Sequence, residues 1–107
     1  DSNADKLFGT KIRQYFQHHD VEVKYHVIEA CEVVKNWDSV SSVVSALAAA
    51  DIDRRSEPII GIGGGVLLDI VGFAASIYRR STPYIRIPTT LIGLIDAGIR
   101  YQNWRQL

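Results

Sequence analysis

The sequence predicts an α/β fold built around a parallel sheet, and three observations carry that expectation. Two short apolar runs, Pro58-Ile59-Ile60-Gly61-Ile62 and Tyr84-Ile85-Arg86-Ile87, have the length and composition of buried strands. Between them, Val66 to Tyr78 is apolar almost all round, as a helix enclosed in a larger body would be. Upstream, residues 38–50 place Val40, Val43, Val44, Leu47 and Ala48 on one helical stripe, with Asp38 or Ser39 as the N-cap. Helices alternating with strands are βα units, whose crossovers align neighbouring strands in parallel. The class is α/β and Rossmann-like.

Two further elements complete the pattern. Phe8, Ile12, Tyr15 and Phe16 recur at helical spacing and predict a helix from Asp5 to His18. Val21, Val23, Tyr25 and Val27 alternate with Glu22, Lys24 and His26, which predicts a strand with one buried face.

The chain has 107 residues, enough for one small domain. Twelve basic and twelve acidic side chains cancel, so no global field draws in nucleic acid or an anionic membrane. The apolar run at Val66–Leu68 breaks at Asp69, which excludes a transmembrane helix there, and no signal peptide is visible. Cys31 is the single cysteine, so neither an internal disulfide nor a cysteine zinc cage forms, and a reduced, cytoplasmic setting is expected. The chain lacks methionine altogether and starts at an aspartate, so we expect a piece of a longer protein.

Gly63-Gly64-Gly65, between a strand and a helix, is the sharpest local signal. Bare backbone beside a helix N-terminus can approach a phosphate closely, with unpaired N–H groups and the helix dipole facing it. The same three glycines also serve a tight βα turn with no ligand. Asp69, one turn into the helix, either pairs with an arginine or backbone, or accepts hydrogen bonds from ligand hydroxyls. Arg79-Arg80 either complements the helix C-terminus or grips a phosphate. Thr89-Thr90 either holds ligand polar groups or caps the next helix, and Asp96 is either a cap or a site carboxylate. His18 and His19 project from different helix faces and His26 lies on the polar face of its strand, so no metal ligand is assigned within the chain.

Taken together, Gly63-Gly64-Gly65-Val66-Leu67-Leu68-Asp69-Ile70-Val71-Gly72-Phe73-Ala74-Ala75, Tyr78-Arg79-Arg80 and Ile87-Pro88-Thr89-Thr90-Leu91-Ile92-Gly93-Leu94-Ile95-Asp96 resemble the dehydroquinate synthase superfamily. The stretch from Arg79 to Thr90 is most similar to its sugar phosphate cyclase branch, which acts on sedoheptulose 7-phosphate. The resemblance covers residues 1–99, a partial NAD-binding domain, while the tail 100–107 departs from it. It implies an N-terminal Rossmann-like domain whose helical partner domain is absent here.

For the site, the resemblance implies that Asp1, at the end of a first strand Asp1-Ser2-Asn3, meets the adenosine ribose. Glu32 and Lys35 stand beside the dinucleotide. Gly64, Gly65, Val66 and Asp69 form the pyrophosphate loop and helix start, and Thr89 and Thr90 lie on the nicotinamide side. Arg80 matches an arginine reaching the substrate phosphate, and Asp96 a carboxylate of the catalytic cleft. The implied chemistry is transient oxidation of a substrate hydroxyl by tightly held NAD, phosphate elimination, hydride return and intramolecular aldol closure. A divalent metal, usually zinc, polarises the oxygens involved, on ligands outside this chain. The full-length protein is expected to be a homodimer working on a small sugar phosphate, with neither nucleic acid nor membrane as partner.

Departures from the family pattern matter too. A lysine is expected six residues beyond Asp96, where Gln102 stands. The isolated chain is therefore expected to be inactive, and to fold poorly if helix 66–78 loses its cover. The nearest alternative, 3-dehydroquinate synthase, usually carries Ser-Ser after the aspartate and Arg-Gly at 80–81; here Ala97-Gly98 and Ser81 favour the cyclase branch. Iron-dependent alcohol dehydrogenases share the glycine turn and Pro-Thr-Thr but continue into Gly-Thr-Gly-Ser, unlike Leu91-Ile92-Gly93-Leu94-Ile95-Asp96. A truncated, non-catalytic NAD-binding or interaction module is the contrasting class.

Overall fold

A computed structural model describes residues 1–51, 57–78, 82–92 and 94. Its elements run α1 (Ser2–His18), a 3-10 turn at Ala30–Glu32, α2 (Trp37–Ala50), β1 (Ile59–Gly63), α3 (Gly65–Ile77) and β2 (Tyr84–Pro88). β1 and β2 pair in parallel, with Ile59 opposite Tyr84 and Gly63 opposite Pro88. This is the βαβ arrangement expected of a Rossmann-like domain. The core lies between the helices and the sheet, where Val40 and Val43 of α2 meet Leu67, Ile70, Val71, Ala74 and Ala75 of α3 over Ile59. Among the described residues, no helix is long and apolar enough to cross a membrane.

Tyr84 holds this unit together. Its hydroxyl donates to the carbonyl of Leu68 in α3 at 2.9 Å, joining the first residue of β2 to the first turn of the crossover helix. A Cβ at Gly61 would stand 2.7 Å from the Tyr84 hydroxyl, and one at Gly72 would stand 3.0 Å from its ring. The two glycines thus leave the space into which the ring fits. Burial raises the pKa of this phenol, with the Arg86 charge opposing the shift.

Several local expectations need correction. α1 starts at Ser2 rather than Asp5, because Asp1 caps it by accepting from the Ala4 backbone N–H at 2.8 Å. Residues 1–3 therefore do not end a strand, although the Asp1 backbone nitrogen still reaches the Ile62 carbonyl of β1 at 3.1 Å. The N-cap of α2 is Asn36, whose side chain accepts from Ser39, rather than Asp38 or Ser39. Residues 21–27 do not form a strand, and Val21, Tyr25 and Val27 are exposed. No described strand lies beside them to complete a ladder, and alternation without a partner backbone does not make a sheet. The segment is tied down by its side chains instead: Lys24 donates to the carbonyl of Ala50 at the end of α2, and Arg13 lies over the Tyr25 ring. Finally, α3 is not enclosed all round, since Val66, Phe73 and Ile77 remain exposed on one stripe.

The Tyr84 wedge makes a stability prediction. Gly61→Ala should destabilise the fold by about 1–3 kcal/mol through overpacking, and Tyr84→Phe by about 1 kcal/mol through the lost hydrogen bond. Urea unfolding followed by circular dichroism measures both, and a neutral Gly61→Ala would show that the ring is not confined there.

Candidate functional site

The C-terminal ends of the two strands open onto the turn into α3. Gly64 is the N-cap in an extended conformation, and no side chain caps the helix. The first N–H groups of α3 therefore face outward with the positive end of the dipole. Neither Gly64 nor Gly65 has positive φ, and a Cβ built on either would meet nothing within 4 Å. Backbone torsion and neighbouring atoms do not require glycine here. What distinguishes these positions is the open space above them, the feature a bound phosphate exploits.

Gly63 is different. Its hydrogen faces the Leu67 side chain, and a Cβ there would also lie 3.0 Å from Asp1 Oδ2. Asp1 thus spends Oδ1 on the α1 cap and turns Oδ2 toward the end of β1. Across the same strand end, the Thr89 hydroxyl donates to the Gly63 carbonyl at 3.4 Å, at the start of a helical turn at 89–92. Thr90 follows on that turn and is exposed.

Asp69 stands one turn below Gly65 on the exposed side of α3. Lys35 Nζ donates to its Oδ2 at 3.1 Å, and Arg86 Nη1 donates to its Oδ1 at 3.2 Å. The hydrogen bond from Lys35, then that from Arg86, holds this carboxyl below its ordinary pKa. With two cations and one anion, the cluster carries a surplus of one positive charge. The expected Lys35 and Asp69 are thus brought together directly, whereas Arg86 was not singled out from the sequence. Its signal was a cation in the middle of an otherwise apolar strand, facing the side on which Asp69 breaks an apolar helix.

Glu32 closes the 3-10 turn and, with Leu67 and Ile70, lines a cavity of about 250 Å³ whose lining does not include the glycines. The turn is held near Asp1 by two bonds, Ser2 N–H to the Ile28 carbonyl and Ala30 N–H to Ser2 Oγ, each 2.8 Å. Arg80 and Asp96 lie outside the described residues. Among the described residues, no three His, Cys, Asp or Glu side chains gather as a metal site.

A parallel βαβ unit with an uncapped helix N-terminus at its strand ends defines an α/β domain of Rossmann-like type. The chain belongs to the 3-dehydroquinate synthase N-terminal family, whose sequence profile matches residues 25–103. It is 52% identical over 99 residues to a 2-epi-5-epi-valiolone synthase of Streptomyces albus, covering 92% of this chain and 24% of that protein. Identity is 44% over 99 residues with a demethyl-4-deoxygadusol synthase of Trichormus variabilis, covering 92% and 24%. A 3-dehydroquinate synthase of Methylacidiphilum infernorum is 38% identical over 96 residues, covering 90% and 26%. Among solved structures, ValA, the 2-epi-5-epi-valiolone synthase of Streptomyces hygroscopicus subsp. jinggangensis with NAD+ and Zn2+ bound, superposes with a TM-score of 0.79. The match is at 52% identity and covers 92% of this chain and 27% of that one. The chain thus spans about a quarter of the length of these relatives.

The Asp69 cluster makes a pH prediction. Because its folded pKa is depressed, the contribution of the cluster to stability is complete above the unfolded carboxyl's pKa. It is lost as pH falls through the lower folded value. A carboxyl 13C titration should give Asp69 a midpoint below that of an ordinary aspartate; an ordinary midpoint would mean that the cations do not hold it in solution.

Proposed function

We propose that this chain is the NAD-binding portion of a sugar phosphate cyclase that converts sedoheptulose 7-phosphate to a carbocycle. The observation that carries the reading is the open space over Gly64 and Gly65 at an uncapped helix N-terminus, with surplus positive charge one turn below. A dinucleotide's pyrophosphate fits such a place on charge and on access. The higher identity to valiolone and deoxygadusol synthases than to the 3-dehydroquinate synthase favours the sedoheptulose substrate.

On this reading the N–H groups from Gly65 onward receive the pyrophosphate, with Val66 at the helix start. Asp1 accepts from the adenosine ribose through Oδ2, and Glu32 and Lys35 border the dinucleotide. Asp69 receives ligand donors on oxygens already oriented by cations. Thr89 and Thr90 contact the nicotinamide side. Arg80 takes the substrate phosphate and Asp96 acts in the cleft as a carboxylate able to hold or move a proton. NAD, when bound, supplies reversible acceptance of a hydride from the substrate carbinol. Zinc would be held by residues outside this chain. The remainder of the reading is a cytoplasmic homodimer in which residues 1–99 make up part of the cofactor domain.

The test is made on the longest reading frame that carries this sequence, supplied with NAD and zinc. Sedoheptulose 7-phosphate should yield inorganic phosphate and a carbocyclic product. Turnover only with the seven-carbon phosphate used by 3-dehydroquinate synthases would move the protein to that activity. A protein that binds no NAD would sink the reading altogether. Gly65→Ala separates ligand space from fold, because a Cβ there meets nothing within 4 Å among the described residues. It should leave the melting temperature close to that of the parent while weakening NAD binding about tenfold or more in calorimetric titration.

A further inference from the structure

Arg86 has no role among the contacts assigned above, yet its placement is specific. It occupies the middle of β2, opposite Gly61 in the register and between two isoleucines, where a long cation has nothing to gain from the sheet itself. Its side chain is half exposed and its guanidinium reaches across to α3, where Nη1 meets Asp69 Oδ1. Lys35, from the segment following the 3-10 turn, takes the other oxygen. One carboxylate thus joins three separate parts of the chain. The torsion that turns an aspartate's carboxyl plane is soft and two-fold, so a lone Asp69 would present its oxygens in many orientations. A different cation on each oxygen removes that freedom and still leaves each oxygen a lone pair for a ligand donor.

We propose that Arg86 is a positioning residue for the cofactor contact at Asp69, an inference that rests on the NAD reading. With Lys35 it fixes the plane of the carboxylate a helical turn below Gly65. The arrangement is not a stability device, because exposed ion pairs contribute little to folding. Its value lies in orientation before the ligand arrives.

The experiment uses the longest reading frame carrying this sequence, with NAD titrated by calorimetry into the parent, Arg86→Gln, Arg86→Lys, Asp69→Asn and the Arg86→Gln/Asp69→Asn double variant. Arg86→Gln should weaken NAD binding roughly five- to tenfold, and Arg86→Lys should recover part of the loss. In the Asp69→Asn background, Arg86→Gln should cost less than about twofold, since its partner is already gone. The Asp69 carboxyl midpoint, followed by NMR, should rise in Arg86→Gln and fall back in Arg86→Lys. Full NAD affinity in Arg86→Gln overturns the proposal, as does an equal loss in both backgrounds or an unmoved Asp69 midpoint. If the parent itself binds no NAD, the cofactor reading fails and this inference with it; NAD binding by the parent with an indifferent Arg86→Gln fails the inference alone.

Discussion

The structure depends on how one aromatic ring sits between a sheet and a helix. Tyr84 enters the space left by Gly61 and Gly72, and its hydroxyl reaches the Leu68 carbonyl. Glycine on both sides lets the crossover helix approach the parallel pair closely, and the hydrogen bond sets the level at which it stops. The consequences run along α3. Fixing Leu68 fixes Asp69 beside it, and Gly64 and Gly65 one turn before it. The position of the outward-facing N–H groups relative to β1 is thereby decided by packing several ångströms away. A helix held only by its apolar contacts with α2 could slide along its axis at modest cost, carrying its N-terminus out of register with the strand ends.

Electrostatics then act on a frame that packing has made. Asp69 lies on the exposed side of α3, where its two ion pairs are screened and worth little to folding. Their effect is local: they lower the carboxyl's pKa and give each oxygen a distinct neighbour. Asp1 shows the same division of labour with neutral donors. One oxygen caps α1 and the other is turned toward Gly63. Structural bonds on one oxygen of Asp1 and on both oxygens of Asp69 orient each group without exhausting it, which a carboxylate, with its several acceptor positions, can do and an amide cannot.

What could be read from the sequence follows from how local each feature is. β1 and α3 were legible because β1 and one face of α3 are buried, and burial writes itself as apolar runs punctuated by glycine; β2, though half exposed, is legible as a short apolar run ended by proline. Lys35 and Asp69 were legible as separate motif residues. Their contact was not, since it depends on the tertiary approach of the 33–36 segment to α3. Val21 to Val27 shows the opposite failure. The alternation is real, but a strand is a relation between two backbones, and among the described residues that segment has no partner strand. The N-cap of α2 was misplaced by two or three residues because Asn36, Asp38 and Ser39 are all competent caps, and the choice rests on where the chain turns. Arg86 was passed over because its motif was read for the threonines that follow it, and a single charge in a short strand has no periodicity to betray it.

The site's location also explains why so short a stretch carries so much of it. Parallel strands deliver all their C-terminal ends to one edge of the sheet, and crossover helices start from that edge. Asp1, Gly63, Gly64, Gly65 and Thr89 meet there although they are as much as 88 positions apart in a chain of 107. Each contributes a short or backbone group whose reach is small, so the topology does the gathering. The longer side chains of Lys35 and Arg86 approach from the flanks and need only reach a carboxylate already in place. Such a half-site has a floor and two sides. Nothing among the described residues closes over it. The exposed stripe of Val66, Phe73 and Ile77 lies on the same helix, so the element that brings the helix dipole to the ligand also carries apolar surface still open to further structure.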